Sequence, residues 1–179
     1  MASEITTIGD IAVTSAARTG FDLGRRGHLT AAVARVDALM RATGVTVADM
    51  GAIAARHRHT RGVRQLDRVL QLADPGAQSP KESWLRLVLI NAGLPRPLSQ
   101  IPVAGDDGIV FAYLDLGWAD EKVAVEYDGD HHRTDRDQYV KDIRRREALE
   151  ALGWIIITVV AGDHPSAIVA RVRNALERR

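Results

Sequence analysis

Leu114-Asp115-Leu116-Gly117-Trp118 is followed shortly by Val123-Ala124-Val125-Glu126-Tyr127-Asp128-Gly129-Asp130-His131-His132. One carboxylate sits near the end of an apolar, strand-like run, and two more occupy alternate positions at the end of the next. A carboxylate at the end of a buried strand is costly unless something binds it. A divalent cation is the usual partner, and Mg²⁺ with two carboxylates at a phosphodiester is a nuclease arrangement. Glu126 and Asp128 are two apart and share a strand face. Whether Asp115 reaches the same site stays open, because in a simple hairpin of 109–116 with 122–127 it lies near the opposite end from Glu126. A bulge or a splay decides the matter.

The bulk composition narrows the classes around this motif. The chain has 179 residues, 46% hydrophobic and 26% charged, enough for one domain or one with a smaller partner. Aromatic residues make up only 4%, which argues against single-strand binding by base stacking. There is no cysteine, so disulfides, thiolate metal sites and thiol nucleophiles are excluded, in keeping with a cytoplasmic location. No apolar run is long enough for a membrane span, and no membrane partner is expected. The net charge of +1 conceals an asymmetry: residues 1–75 hold 10 Arg, no Lys and 7 acids, whereas residues 76–179 hold 14 Lys or Arg and 16 acids. The half with the carboxylate motif is therefore not a generic basic clamp, and any nucleic-acid affinity there must come from local patches or from a metal that offsets the acids.

Upstream of the motif the pattern is helical. Residues 7–13 read as a short strand or hairpin, with Thr14-Ser15 capping a helix that ends near Gly24 to Gly27. Helices follow over 29–42 with Gly44 as stop, over 47–57 with Thr46 as cap, and over 61–73. His57 and His59 flank Arg58 and read as exposed turn residues. Ala73 to Pro80 is rich in breakers and predicts the domain boundary: residues 1–75 as a mostly helical region, residues 76–179 as the domain that carries the motif.

Ser79-Pro80-Lys81-Glu82 opens the second domain with a capping-box spacing, and the helix stops at Gly93. Gln100 to Val103 reads as a strand at a sheet edge, because Pro102 lacks a donor. Gly105 to Gly108 is a hairpin turn. Strands over 109–116 and 122–127, a helix over 136–152, a buried strand over 154–160 and a helix over 164–177 complete the order α-β-β-β-α-β-α. The expected fold is α/β, a mixed sheet flanked by helices. Asp142, Arg145, Leu149 and Leu152 share one helix face.

This order resembles the PD-(D/E)xK nuclease superfamily, and residues 79–163 resemble more closely the very-short-patch-repair (Vsr-type) endonucleases. The likeness rests on Ser79-Pro80-x-Glu82, Gln100, Leu114-Asp115-Leu116, Val125-Glu126-Tyr127-Asp128-Gly129-x-x-His132, Asp142-x-x-Arg145 and Gly153-Trp154. It implies a restriction-endonuclease-like fold in which Asp115, Glu126 and Asp128 hold Mg²⁺, or Mn²⁺. It also implies that His132, with His131 the alternative, moves a proton and that Glu82 orients water or a ligand. The wider superfamily has Lys where this chain has Asp128, which adds a ligand and removes a cation. Residues 8–74 resemble weakly the C-terminal part of AbiEi-family antitoxins. The winged helix that usually opens those proteins is expected to be absent, as in a short-start form.

Each of these residues also has a plainer explanation. Glu82 at N3 is explained by capping, Asp115 and Asp128-Gly129 by turns, and Glu126 by a buried salt bridge. Asp142 and Arg145 fit an ion pair at i, i+3, a lock on the helix, or a phosphate contact. Arg133, Arg136, Lys141, Arg144, Arg145 and Arg146 form the most basic region of this half, readable as a solvated helix face or as a contact for DNA backbone. The leading expectation is a Mg²⁺-dependent DNA endonuclease in repair or in defence against phage and plasmids. The alternatives are a non-enzymatic DNA-binding or antitoxin-like regulator, with a toxin partner or a homo-oligomer, and a nuclease fold kept only as an interaction module.

Overall fold

Breakers and caps divide the chain where the composition changes. The computed structural model describes residues 3–129 and 136–179, the side chains of 136–139 excepted. It is a mixed α/β structure of two compact units, residues 1–84 and 85–179.

In the first unit, β1 (Ile5–Ile8) and β2 (Ile11–Thr14) form an antiparallel hairpin that turns at Gly9, φ 58°. The Ser15 hydroxyl accepts from the Arg18 N–H and caps α1 (Ala16–Gly24). Next come α2 (Leu29–Thr43), closed by a left-handed Gly44, and α3 (Val47–Arg56), opened by a reciprocal Thr46–Asp49 capping box. After these comes α4 (Val63–Leu72). Phe21, Val33, Val36, Met50, Ile53, Leu66 and Val69 are buried and form its apolar interior.

The division between the units falls between Trp84 and Leu85, inside α5 (Pro80–Asn91), which follows the breaker stretch at 73–80. The reason is polar. Buried Asp37 on α2 accepts from the Asp74 N–H at 2.7 Å and from the Ser83 hydroxyl at 2.7 Å. The breaker stretch and the first turn of α5 are thereby tied to the helices before them.

The second unit continues with β3 (Leu98–Ala104), β4 (Val110–Trp118), β5 (Val123–Asp128), α6 (Arg136–Ala151), β6 (Ile155–Val160) and α7 (Pro165–Leu176). The sheet runs β3-β4-β5-β6, antiparallel except for the parallel β5–β6 pair. Pro102 lies in edge strand β3, where one side has no ladder to break. The apolar run 154–160 predicts a buried strand; β6 lies at the opposite edge and is partly buried, with Ile157 and Val159 inside. Its apolar character comes from helices on the sheet faces, since α6 and α7 both pack on it. Ile101, Val103, Ala112, Leu114 and Ala124 form one core with Leu149 of α6 and with Trp154. Burying each large side chain of that core contributes about 1.5–3 kcal/mol. No helix among the described residues is long and apolar enough to cross a membrane.

Candidate metal and phosphodiester site

Hairpin register settles what the sequence leaves open about Asp115. β4 continues through Gly117-Trp118, and its pairs with β5 are Trp118↔Val123, Gly117↔Ala124 and Leu116↔Val125. Antiparallel pairing therefore brings Asp115 beside Glu126, one step past the last pair, and not to the opposite end of the hairpin.

The ladder stops there for a local reason. A Cβ on Gly117 would lie 3.2 Å from Ile101 Cδ1, so Gly117 faces the same side as the Ile101–Leu114 core. Residues three apart on a regular strand face opposite ways. The alternation of β4 is thus interrupted at Asp115-Leu116, next to Gln100 with φ 53° on β3. The interruption re-aims Asp115, as bulges do. Its Oδ2 accepts the Tyr127 N–H at 3.1 Å, replacing a ladder bond with a side-chain bond.

Glu126 is two residues on from core-facing Ala124 and so looks toward α6. From α6, Arg145 donates through Nη2 to Glu126 Oε1 at 2.5 Å and through Nη1 to Oε2 at 3.2 Å. Arg145 Nη2 also donates to the Tyr113 carbonyl at 3.1 Å. The next residue, Arg146, donates to the Thr158 hydroxyl at 2.9 Å, and Thr158 pairs with Glu126 across β5–β6. Glu126 raises the pKa of Arg145, against the effect of burial, and the fields of Asp115 and Asp142 add to the rise. Among the possibilities for Arg145, the geometry is the lock of α6 onto β5, not an i, i+3 pair with Asp142 alone.

These groups line one open groove of about 880 Å³. Its lining includes the carboxylates of Asp115, Glu126, Asp128, Asp142, Glu147 and Glu150 and the guanidiniums of Arg145 and Arg146, together with Tyr127 and Thr158. Six carboxylates against two guanidiniums repel a phosphodiester unless a cation intervenes. Hard oxygen donors from β4 and β5 suit Mg²⁺ or Mn²⁺. Among the described residues, however, no three His, Asp or Glu side chains are grouped closely enough to hold a metal ion. A cation at Asp115 and Glu126 must therefore share Glu126 with Arg145.

Glu82 belongs to the first unit, where its N–H donates to the Ser79 hydroxyl at 3.2 Å and its carboxylate accepts from the Gln78 N–H at 2.8 Å. Capping accounts for these bonds, though the carboxylate reaches one residue before the cap and not the cap itself. Lys141 and Arg144 are exposed on α6. His131, His132 and Arg133 lie outside the described residues, as does the Arg136 side chain.

Sequence reasoning missed a second polar cluster, in the first unit. Glu4 accepts from Arg18 at 2.5 Å and from Arg56 at 3.1 Å, and meets His57 Nε2 at 3.0 Å. The His57 ring also lies 5.4 Å from the Phe21 ring, so His57 is a packed residue and not a free turn residue. His59 is exposed, as expected.

No family model matches the chain. No solved structure matches it either. Two uncharacterized proteins of Mycobacterium tuberculosis, from strains CDC 1551 / Oshkosh and ATCC 25618 / H37Rv, are each 31% identical to it over 168 residues, or 92% of this chain. The chain spans 62% of the length of each of these relatives.

Proposed function

We propose that the second unit is a divalent-metal-dependent DNA endonuclease that hydrolyses phosphodiester bonds in the groove between β4, β5 and α6. The observation that carries this reading is the meeting of Asp115 and Glu126 where the β4–β5 ladder ends. Asp115 and Glu126 would hold Mg²⁺ or Mn²⁺, with Asp128 lining the same groove. The cation would offset phosphate charge and lower the pKa of water.

The chain's own groups divide the remaining work. Arg145 fixes the Glu126 carboxylate and keeps a permanent positive charge in the groove. This compensates for Asp128, which stands where the superfamily has a lysine and cannot stabilise charge on a phosphate. Asp115 ties the end of β5 to β4 through the Tyr127 N–H, so that the two carboxylates stay in register. His132 is the proposed proton carrier, an imidazole suited to neutral pH.

Nicking of supercoiled plasmid by the full chain, with Mg²⁺, with Mn²⁺ and with chelator, tests the proposal. Cation-dependent nicking that disappears in Asp115→Asn and Glu126→Gln supports it. Nicking that survives both substitutions overturns the site.

A second reading has its own observation. Arg145 already engages both oxygens of Glu126, as in a fold-holding ion pair. A non-enzymatic DNA-binding or antitoxin-like regulator, with a degenerate nuclease fold, fits that pair without a cation. Failure of Mg²⁺ and Mn²⁺ to bind would favour it.

A further inference from the structure

We infer that the first unit carries its own docking surface for the phosphodiester backbone of a nucleic-acid duplex, built from Arg26, Arg35, Arg61, Arg64 and Arg68. The inference does not depend on the metal groove of the second unit.

Two stretches hold the charge. Residues 25–35 and 56–68 contain eight arginines and one acid, Asp67. They are far apart in sequence but adjacent in space. Arg25 Nη1 donates to the Arg61 carbonyl at 3.2 Å, Gln65 Nε2 donates to the Gly24 carbonyl at 3.1 Å, and Arg35 Nη2 donates to the Arg26 carbonyl at 2.8 Å. At Gly62, φ 88°, a Cβ would lie 2.2 Å from the Arg25 carbonyl oxygen. The turn before α4 therefore rests directly on the end of α1, and the two stretches make one face.

Most of that charge is uncompensated. Arg25 is engaged by Asp22 at 2.6 Å and Arg56 by Glu4 at 3.1 Å. Arg26 only approaches Asp22, at 3.5 Å, and its side chain is 65% exposed. Among the described residues, no carboxylate lies within ion-pair distance of Arg58, Arg61, Arg64 or Arg68. Arg61, Arg64 and Arg68 are exposed, and Arg64 and Arg68 are one helical turn apart on α4. The fold does not need them, because α4 is anchored by Leu66 and Val69. A solvated helix face usually mixes both signs, whereas this one is held at a self-repelling density that a polyanion relieves.

The chemistry selects among polyanions. Residues 1–75 use arginine and never lysine, and the guanidinium fork matches phosphate oxygens. The one aromatic residue of residues 1–75, Phe21, is buried, so base stacking on a single strand has no platform. None of the exposed large apolar side chains lies within 25–35 or 56–68, so this face has no apolar stripe to enter a lipid surface. What remains is contact with the phosphates of a duplex, strong in low salt and indifferent to sequence.

Anisotropy of a fluorescein-labelled DNA duplex, and in parallel of the RNA duplex of the same sequence, tests this with the full chain in EDTA over a range of salt. For R61Q/R64Q/R68Q the affinity is expected to fall at least about tenfold, and the slope of log K against log salt to become shallower by about 2.7. R61K/R64K/R68K is expected to keep most of the slope. Matching melting curves show that the variants are folded. Parent-like affinity and slope in the glutamine variant on both duplexes would overturn the proposal. So would charge-dependent capture by phosphatidylglycerol vesicles with no duplex binding.

Discussion

Arg145 of α6 grips both carboxylate oxygens of Glu126 on β5, at 2.5 and 3.2 Å, while the same guanidinium holds the Tyr113 carbonyl of β4 at 3.1 Å. One side chain thus clamps a helix to two strands at the point where their ladder ends. The same clamp sets the charge of the groove.

Removing that clamp has two expected consequences. In Arg145→Gln, Glu126 remains half-buried with a weaker partner, at a cost of about 1–2 kcal/mol given the partial exposure of the pair. Mg²⁺ is then expected to raise the melting temperature of the variant more than that of the parent, because the cation replaces the lost charge. A thermal-shift titration reads both effects. An equal Mg²⁺ response in the two proteins would mean that the cation does not reach Glu126.

Asp115 separates structure from chemistry. In Asp115→Asn the amide oxygen can still accept the Tyr127 N–H, so the melting temperature is expected to stay close to the parent's. Nicking is expected to fall about a hundredfold or more with the charge gone. Asp115→Ala is expected to lose stability as well. Melting curves alongside plasmid nicking distinguish the two variants.

Gly117 is a close approach and not a turn. A Cβ there would lie 2.6 Å from the Val123 carbonyl oxygen and 3.1 Å from Ala124 Cα, both of them backbone atoms of β5. Gly117→Ala is expected to destabilise by about 1–3 kcal/mol and to spread the strands next to Asp115. Stability and nicking should fall together, in contrast to Asp115→Asn.

Glu4 is expected to make the first unit acid-sensitive. Hydrogen bonds from His57 and Arg18 lower its pKa from 4.5 to about 2. A depressed folded-state value contributes stability that is complete above the unfolded value and is lost as pH falls toward the folded one. The contribution should therefore fade between about pH 4.5 and 2. Glu4→Gln is expected to lower the melting temperature at neutral pH and to flatten its pH dependence in that window. A parent-like acid profile in the variant would exclude the cluster as the cause.

Much of the fold was legible because its punctuation is local. The Thr46–Asp49 box, the Gly44 stop and the Gly105 to Gly108 turn each act within a few residues. The half-buried edge position of β6 was not legible, since a β-branched run reads alike whether neighbouring strands or covering helices hide it. The carboxylates of the groove could be named, but their meeting depended on β4 continuing through Gly117-Trp118 and on an interruption opposite Gln100. The Glu4–His57 contact joins residues 53 apart with no periodic signal between them. The guanidinium locking Glu126 could be listed as a basic residue, but its target depended on how α6 crosses the sheet.

Calorimetric titration of Mn²⁺ into the full chain and into Asp115→Asn tests the proposed metal site most directly. Saturable binding in the parent that is lost in the variant is the expected result. No binding to the parent, or equal binding to both, would contradict a metal centre at Asp115 and Glu126.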